Sequence, residues 1–155
     1  MILSNQVRCV KCNDKPYSAN RHDFQTCKCG AISVDGGMAY LRRSGDLNQY
    51  EDISIEIPDE AAKAAMEAIQ ATRMFEHGTL VESTILSDTL QVLKEHNIEM
   101  VTEFPTVIWE KVYQATYDAI AYAIETRRNS LGILCAIVRT YRDEAGVKFV
   151  LKETI

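Results

Sequence analysis

Two stretches, 9-CVKC-12 and 27-CKCG-30, hold four of the five cysteines of this chain, and their reading decides the fold of its first third. They are written C-x2-C, a spacer of fourteen residues, then C-x-C. A tight turn at the first pair aims two thiols at a point that the second pair reaches from a neighbouring hairpin. The opening MILSNQVRCVKC has no basic segment followed by an apolar one, and no apolar run approaches the roughly 18 to 20 residues of a membrane span. The expected location is therefore the cytoplasm, where reducing conditions disfavour disulfides and leave metal binding as the use for paired cysteines. Four soft thiolates suit zinc, which takes them tetrahedrally at about 2.3 Å and brings no redox chemistry. Cys9, Cys12, Cys27 and Cys29 are the expected ligands of one structural zinc per chain; a set in which His22 replaces one thiolate is the alternative. A catalytic zinc needs an open position and a nearby base, and four thiolates close the shell. Arg8, Lys11 and Lys28 would offset the charge of the centre, and Gly30 lets backbone N–H groups turn toward the sulfurs.

This spacing resembles a zinc ribbon, a small β module that the metal holds together. Its apolar residues (Val7, Val10, Phe24, Ile32, Val34 and Met38 among them) are too sparse over 45 positions to form a sufficient core alone. A closer resemblance lies in the residues between and after the cysteines. RC-x2-C at 8–12, RHDF at 21–24, C-x-CGAI-x-VDGG at 27–37 and YLRR at 40–43 together resemble the N-terminal module of small uncharacterised proteins of tailed bacteriophages. The resemblance implies a zinc-binding module and a phage origin, hence the cytoplasm of a bacterial host, and it implies no biochemical activity.

The polar residues of this module have two readings each. VDGG most simply joins strand AISV to MAYLRR as a hairpin, with Asp35 accepting backbone hydrogen bonds. The alternative is an anion- or ligand-binding turn with Arg42 and Arg43 nearby. His22 and Asp23 invite a catalytic pair, but neighbours in an extended segment face opposite sides. His22 is expected instead to hydrogen-bond beside the cysteine cluster, with Phe24 packed in the core. The pairs Arg21-His22 and Arg42-Arg43, with Tyr17 and Tyr40, also offer a basic and aromatic surface of the kind that contacts nucleic acid.

Beyond residue 45 the pattern changes. Residues 46–58 read as a linker and a short alternating strand (Ile53, Ile55, Ile57) ending at Pro58. Residues 59–77 read as an Ala-rich helix with Ala62, Met66 and Ile69 on one face, Phe75 near its end, and His77 and Gly78 closing it. Thr79 to Glu82 match a capping box that starts a second helix to His96, apolar at Ile85, Leu86, Leu90 and Leu93. A third helix spans Pro105 to Arg128, with Ile108, Val112, Ala115, Ala119 and Tyr122 facing the core. GILCAIVRTYR and VKFVLKE then read as a closing β-hairpin with Cys135 buried in it as a small hydrophobe, a helix over 131–142 being the alternative. The expected fold is α+β: a zinc-ribbon module over 1–45, the linker, and a three-helix body with a C-terminal hairpin over 59–155.

Charge and aromatic placement bear on partners. Residues 1–45 hold seven basic and three acidic side chains, and residues 46–155 carry a net −9. Trp109, Tyr113 and Tyr117 form an i, i+4, i+8 stripe about 100° from the expected core face, so a partner surface or a homodimer is expected there. The leading functional expectation is a non-enzymatic phage accessory protein that binds and modulates or inhibits a host or defence component through its acidic body, where carboxylates imitate phosphates. A nucleic-acid-binding regulator acting through the basic ribbon is one alternative. A nucleotide- or nucleic-acid-processing enzyme is the other, although the phosphate-binding, metalloprotease, deaminase and nucleophile-elbow motifs are absent.

Overall fold

The computed structural model describes residues 1–74, 81–101 and 109–151. The chain forms two compact units, Met1–Glu56 and Ile57–Ile155, and the fold is α+β.

The first unit contains seven short strands: β1 (Ile2–Ser4), β2 (Val7–Cys9), β3 (Gln25–Thr26), β4 (Ile32–Asp35), β5 (Arg42–Gly45), β6 (Tyr50–Asp52) and β7 (Ile55–Glu56). β3, β4 and β5 make an antiparallel sheet, while β1 pairs with β7 and β2 with β6. Alternate residues of β2 and β4 face inward, as a two-residue period requires, so Val7, Cys9, Ile32 and Val34 meet Cys27 in one small core. Cys12, Ala31 and Tyr50 pack around it.

Three expectations need correction here. Residues 46–56 are part of the first unit rather than a linker, because β6 and β7 return to β2 and β1. The strand expected at Ile53–Ile57 shrinks to β7: the Ile53 N–H already donates to the Gln6 carbonyl at 3.1 Å, outside the ladder. Phe24 does not pack in the core but is 56% exposed, since it precedes a two-residue strand with no covering layer.

The second unit contains α1 (Asp59–Met74), α2 (Val81–Glu95), β8 (Ile98–Val101), α3 (Trp109–Glu125), α4 (Ser130–Ala145) and β9 (Lys148–Leu151). Ala61, Ala62, Ala65 and Ile69 of α1 are buried, as are Ile85, Leu86 and Leu93 of α2. Among the described residues there are four helices rather than three, because 130–145 is helical. Asn129 caps that helix, its side chain accepting from the Gly132 N–H at 2.9 Å, and Gly146 closes it at φ 64°. The β-branched run conceals a helical period: Ile133, Leu134, Ile137, Val138 and Tyr141 are its buried face. Segment 148–151 is a strand as expected, but its partner is β8, with Met100 opposite Phe149. Cys135 is thus a half-buried helical residue, and burial pushes its thiol up to about 11.

On α3 the buried face is Val112, Thr116, Ile120 and Ala123. Ala115 and Ala119 are half-buried, and Tyr122, expected inside, is 60% exposed. The offset follows from Thr116: its hydroxyl donates to the Val112 carbonyl at 2.8 Å, and a polar residue satisfied on its own helix can occupy the core. Tyr113 is exposed and Tyr117 half-buried. Trp109 opens the helix, and its side chain lies outside the described part. The segment 75–80 (Phe75, His77, Gly78, Thr79) and the segment 105–108 (Pro105, Ile108) lie outside the described residues.

No helix of the described residues is long and apolar enough to cross a membrane.

Candidate metal centre

Cys9 ends β2, and the chain then turns back on itself. The Asn13 N–H donates to the Cys9 carbonyl at 2.9 Å, and the Cys9 N–H to the Asp14 carbonyl at 2.8 Å. Asn13 takes a left-handed φ of 59°, which asparagine tolerates well, and Cys12 is carried over the turn. The second pair sits in the turn from β3 to β4. There the Gly30 N–H donates to the Cys27 carbonyl and the Cys27 N–H to the Ile32 carbonyl, both at 3.0 Å, with Gly30 at φ 77°. Asp14 ties the two turns together by accepting from the Lys28 N–H at 3.0 Å.

The four sulfurs converge. All lie within 4.8 Å of one another, and Cys29 Sγ is 3.6 Å from both Cys9 Sγ and Cys27 Sγ. A tetrahedral zinc with bonds of about 2.3 Å needs sulfurs about 3.8 Å apart, so the donor set fits a tetrahedral thiolate ion. All four are free thiols. His22 is not a member of the cluster.

Backbone donors surround the sulfurs. The Asp14 N–H, with help from that of Cys29, holds the Cys12 thiol down to about 6. Cys27 is buried, which opposes ionisation, yet the Ile32 N–H at 3.4 Å and the Cys29 and Cys9 thiols bring it below the usual range. The Ala31 N–H favours the thiolate of Cys29, but burial of the sulfur and the three neighbouring thiols outweigh it and push that group up to about 12. One thiol ionises easily and another resists, as like charges crowded together must. A divalent cation at the centre removes that conflict. These N–H groups orient and stabilise the thiolates that would hold it.

The polar candidates gather elsewhere. Loops 18–24 and 36–41 lie at the end of β3 and β4 opposite the cysteine turn. His22, at a left-handed φ of 66°, meets Tyr40 Oη through Nδ1 at 3.3 Å, with the rings edge to face; its partner is therefore Tyr40 and not a cysteine. Asp23 staples its own loop, accepting from the Ala19 N–H at 2.9 Å and from Gln25 Nε2, and the Gln25 bond leads in holding its carboxyl below the ordinary value. Asp35 is buried, accepts from the Gly36 N–H at 2.8 Å and lies 3.5 Å from Tyr40 Oη. The hairpin expected at VDGG is real but wide. Asp35 pairs with Arg42, so Met38, Ala39 and Tyr40 belong to the connection rather than the strand. The Gly37 N–H donates to Ser18 Oγ at 3.0 Å, so with Gly36 also engaged the turn has no N–H pair free for an anion.

Arg42 is exposed, whereas the Arg43 side chain is only 8% exposed. Arg43 donates to Asn5 Oδ1 and Ser54 Oγ, each at 2.7 Å, and pairs with Asp52 at 3.2 Å. It is thus a strut between β5 and the segment 52–54, not a ligand-binding cation. Asn5, which the sequence did not single out, is the hub of this corner. Its Nδ2 lies 3.0 to 3.1 Å from the carbonyls of Asp35, Gly37 and Tyr40, holding the VDGG connection from β1's end. The two loops touch backbone to backbone. A Cβ on Gly37, at φ 52°, would sit 2.4 Å from the Asn20 carbonyl carbon. Gly37→Ala is therefore expected to destabilise the metal-loaded unit by at least about 2 kcal/mol, read as a lowered thermal midpoint.

Charge also looks different with the true boundary. Asp46, Glu51, Asp52 and Glu56 belong to the first unit, which then holds seven basic and seven acidic side chains. Arg8, expected to offset the metal centre, is engaged by Glu51 at 2.8 Å and by Asn13 at 3.2 Å.

A protein-family model described as a domain of unknown function (DUF7695) matches residues 1–45, the part that carries all four cysteines. No curated protein and no solved structure matches the chain.

Proposed function

We propose that this chain is a phage-encoded, non-enzymatic zinc-binding accessory protein of the bacterial cytoplasm, which binds and modulates or inhibits a host or defence protein. The observation that carries the reading is the convergence of four thiols, with no fifth ligating side chain in the cluster among the described residues. Cys9, Cys12, Cys27 and Cys29 would hold one zinc and fill its tetrahedral shell, leaving no position for water or substrate. The ion would supply cohesion: it would close a core in which two of the five buried residues are themselves ligands. The phage origin rests on the resemblance of the N-terminal motifs.

The second unit is the better candidate for the partner surface. Residues 57–155 hold fifteen acidic and ten basic side chains, and α3 exposes Glu110, three residues before the exposed Tyr113, and Asp118 further along. Carboxylates around an aromatic suit a basic, nucleic-acid-handling protein, where they would take the place of phosphates. The same face is the candidate contact for a homodimer.

Affinity capture from bacterial lysate, with the zinc-loaded full chain as bait, tests the reading. The expected result is a host protein that double-stranded DNA displaces and that Glu110→Lys/Asp118→Lys no longer retains. Capture of no host protein overturns the proposal.

A further inference from the structure

The first unit is neutral as a whole, but its charge is not evenly spread. Two of its four arginines are engaged, Arg8 by Glu51 and Arg43 by Asp52. Arg21 and Arg42 are exposed and have no acidic partner among the described residues. Both lie at the end of the β3-β4-β5 sheet away from the cysteine turn, Arg21 in the loop entering β3 and Arg42 at the start of β5. The acids nearest them in sequence are turned to other work: Asp23 accepts from its own loop, and Asp35 is buried against the Gly36 N–H.

Aromatic surface collects at the same end. Phe24 immediately precedes the Gln25–Val34 pair, and Asp35, the residue after Val34, pairs with Arg42. The Phe24 ring is 56% exposed although nothing in the unit's polar surface calls for it. His22 is exposed, Tyr40 half-exposed, and their rings stand 6.4 Å apart. Met38 and Leu41, each 37% exposed, complete the patch. The loops that present these groups are unusually well fixed. Asn5 holds three carbonyls of one, Ser18 bridges both by bonding the Asp23 carbonyl at 2.7 Å and the Gly37 N–H, and His22 is kept left-handed. A loop end built this firmly, yet left apolar and cationic, has the composition of a recognition surface.

We propose that this end of the first unit binds single-stranded nucleic acid, with Arg21 and Arg42 on phosphates and Phe24, His22 and Tyr40 as platforms for unpaired bases. Flat exposed rings interleaved with unpaired guanidinium groups are the features that single strands use, since every base has a face to stack and every nucleotide a charge to neutralise. A duplex hides its base faces and has no use for Phe24. An acidic peptide would engage the arginines without needing the rings. The inference concerns the first unit and is independent of the partner proposed for the second.

The test is fluorescence anisotropy of zinc-loaded full-length protein against labelled oligo-dT and oligo-U, titrated with salt from about 50 mM upward. Each phosphate contact on a single strand contributes about 0.7 to the slope of log K against log salt, so Arg21→Ala/Arg42→Ala is expected to flatten it by about 1.4. Phe24→Ala is expected to weaken binding about tenfold with the slope kept, as for the loss of one stacked base. Arg21→Lys/Arg42→Lys should restore the slope, and unchanged zinc content shows that each variant is folded. Absence of binding at the lowest salt, a slope unchanged in the double alanine variant, or tighter binding of a poly-glutamate peptide than of either oligonucleotide overturns the proposal.

Discussion

Stripping the metal with a chelator is expected to unfold residues 1–56 and leave the helices of residues 57–155 in place. The cluster packed around the sulfurs is Val7, Cys9, Cys27, Ile32 and Val34, so only three aliphatic side chains of that cluster remain once the ligands are released. Its strands are two to four residues long and distributed over three separate sheets, which cannot offset the entropy of ordering the chain. Structural zinc in small modules contributes apparent binding energies of about 10–16 kcal/mol, and here most of that would be folding energy. The second unit has its own aliphatic core, including Ile69, Leu86, Ile120, Leu134 and Ile137. Hydrogen exchange reads the outcome: amides of β2 and β4 should lose protection after chelation, while those of α2 and α4 keep it. Cys12→Ser should act in the same direction, since a hydroxyl is a poor substitute for the thiolate that ionises most readily.

Asn5→Ala is expected to be the most damaging change outside the cysteines. Asn5 is 1% exposed, and its amide serves three backbone carbonyls while its oxygen accepts from Arg43. Truncation leaves buried carbonyls without a donor and removes one of the acceptors that compensate a nearly buried guanidinium. Losing a buried polar partner costs about 1–3 kcal/mol, and breaking the support of a buried charge about 3–5 kcal/mol. The two losses fall on one network and do not add in full, so about 3–5 kcal/mol is expected, measured by denaturant unfolding of the zinc-loaded chain. Asn5→Asp separates the contributions: it keeps an acceptor for Arg43 but removes both donors. It should fall between the wild type and the alanine variant.

The cysteine cluster was legible in the sequence because metal ligation constrains spacing directly, and C-x2-C with C-x-C leaves few other uses for four thiols. The boundary of the first unit was not, because β6 and β7 pair with strands more than forty residues earlier and carry no local sign of it. That misplaced boundary also created the apparent basic charge of the ribbon. α4 shows a different difficulty. Its run of isoleucine, leucine and valine has strand-like composition, and the helical period emerges only once Asn129 and Gly146 are recognised as caps. On α3 the buried face includes Thr116, whose hydroxyl is satisfied by its own helix, so apolar spacing alone points to a rotated face with Tyr122 inside. Asn5 and Asp14 left no signal at all. A single amide or carboxylate that organises two distant loops looks, in sequence, like any other polar residue.

If Cys9, Cys12, Cys27 and Cys29 hold one ion as a staple, that ion travels with the purified chain. Native mass spectrometry of the purified full chain, with elemental analysis of the same sample, tests it most directly. One zinc per chain is expected, lost on changing any of these four cysteines to serine and kept in His22→Ala and Cys135→Ala. A chain that folds without metal, or whose zinc depends on His22, would contradict it.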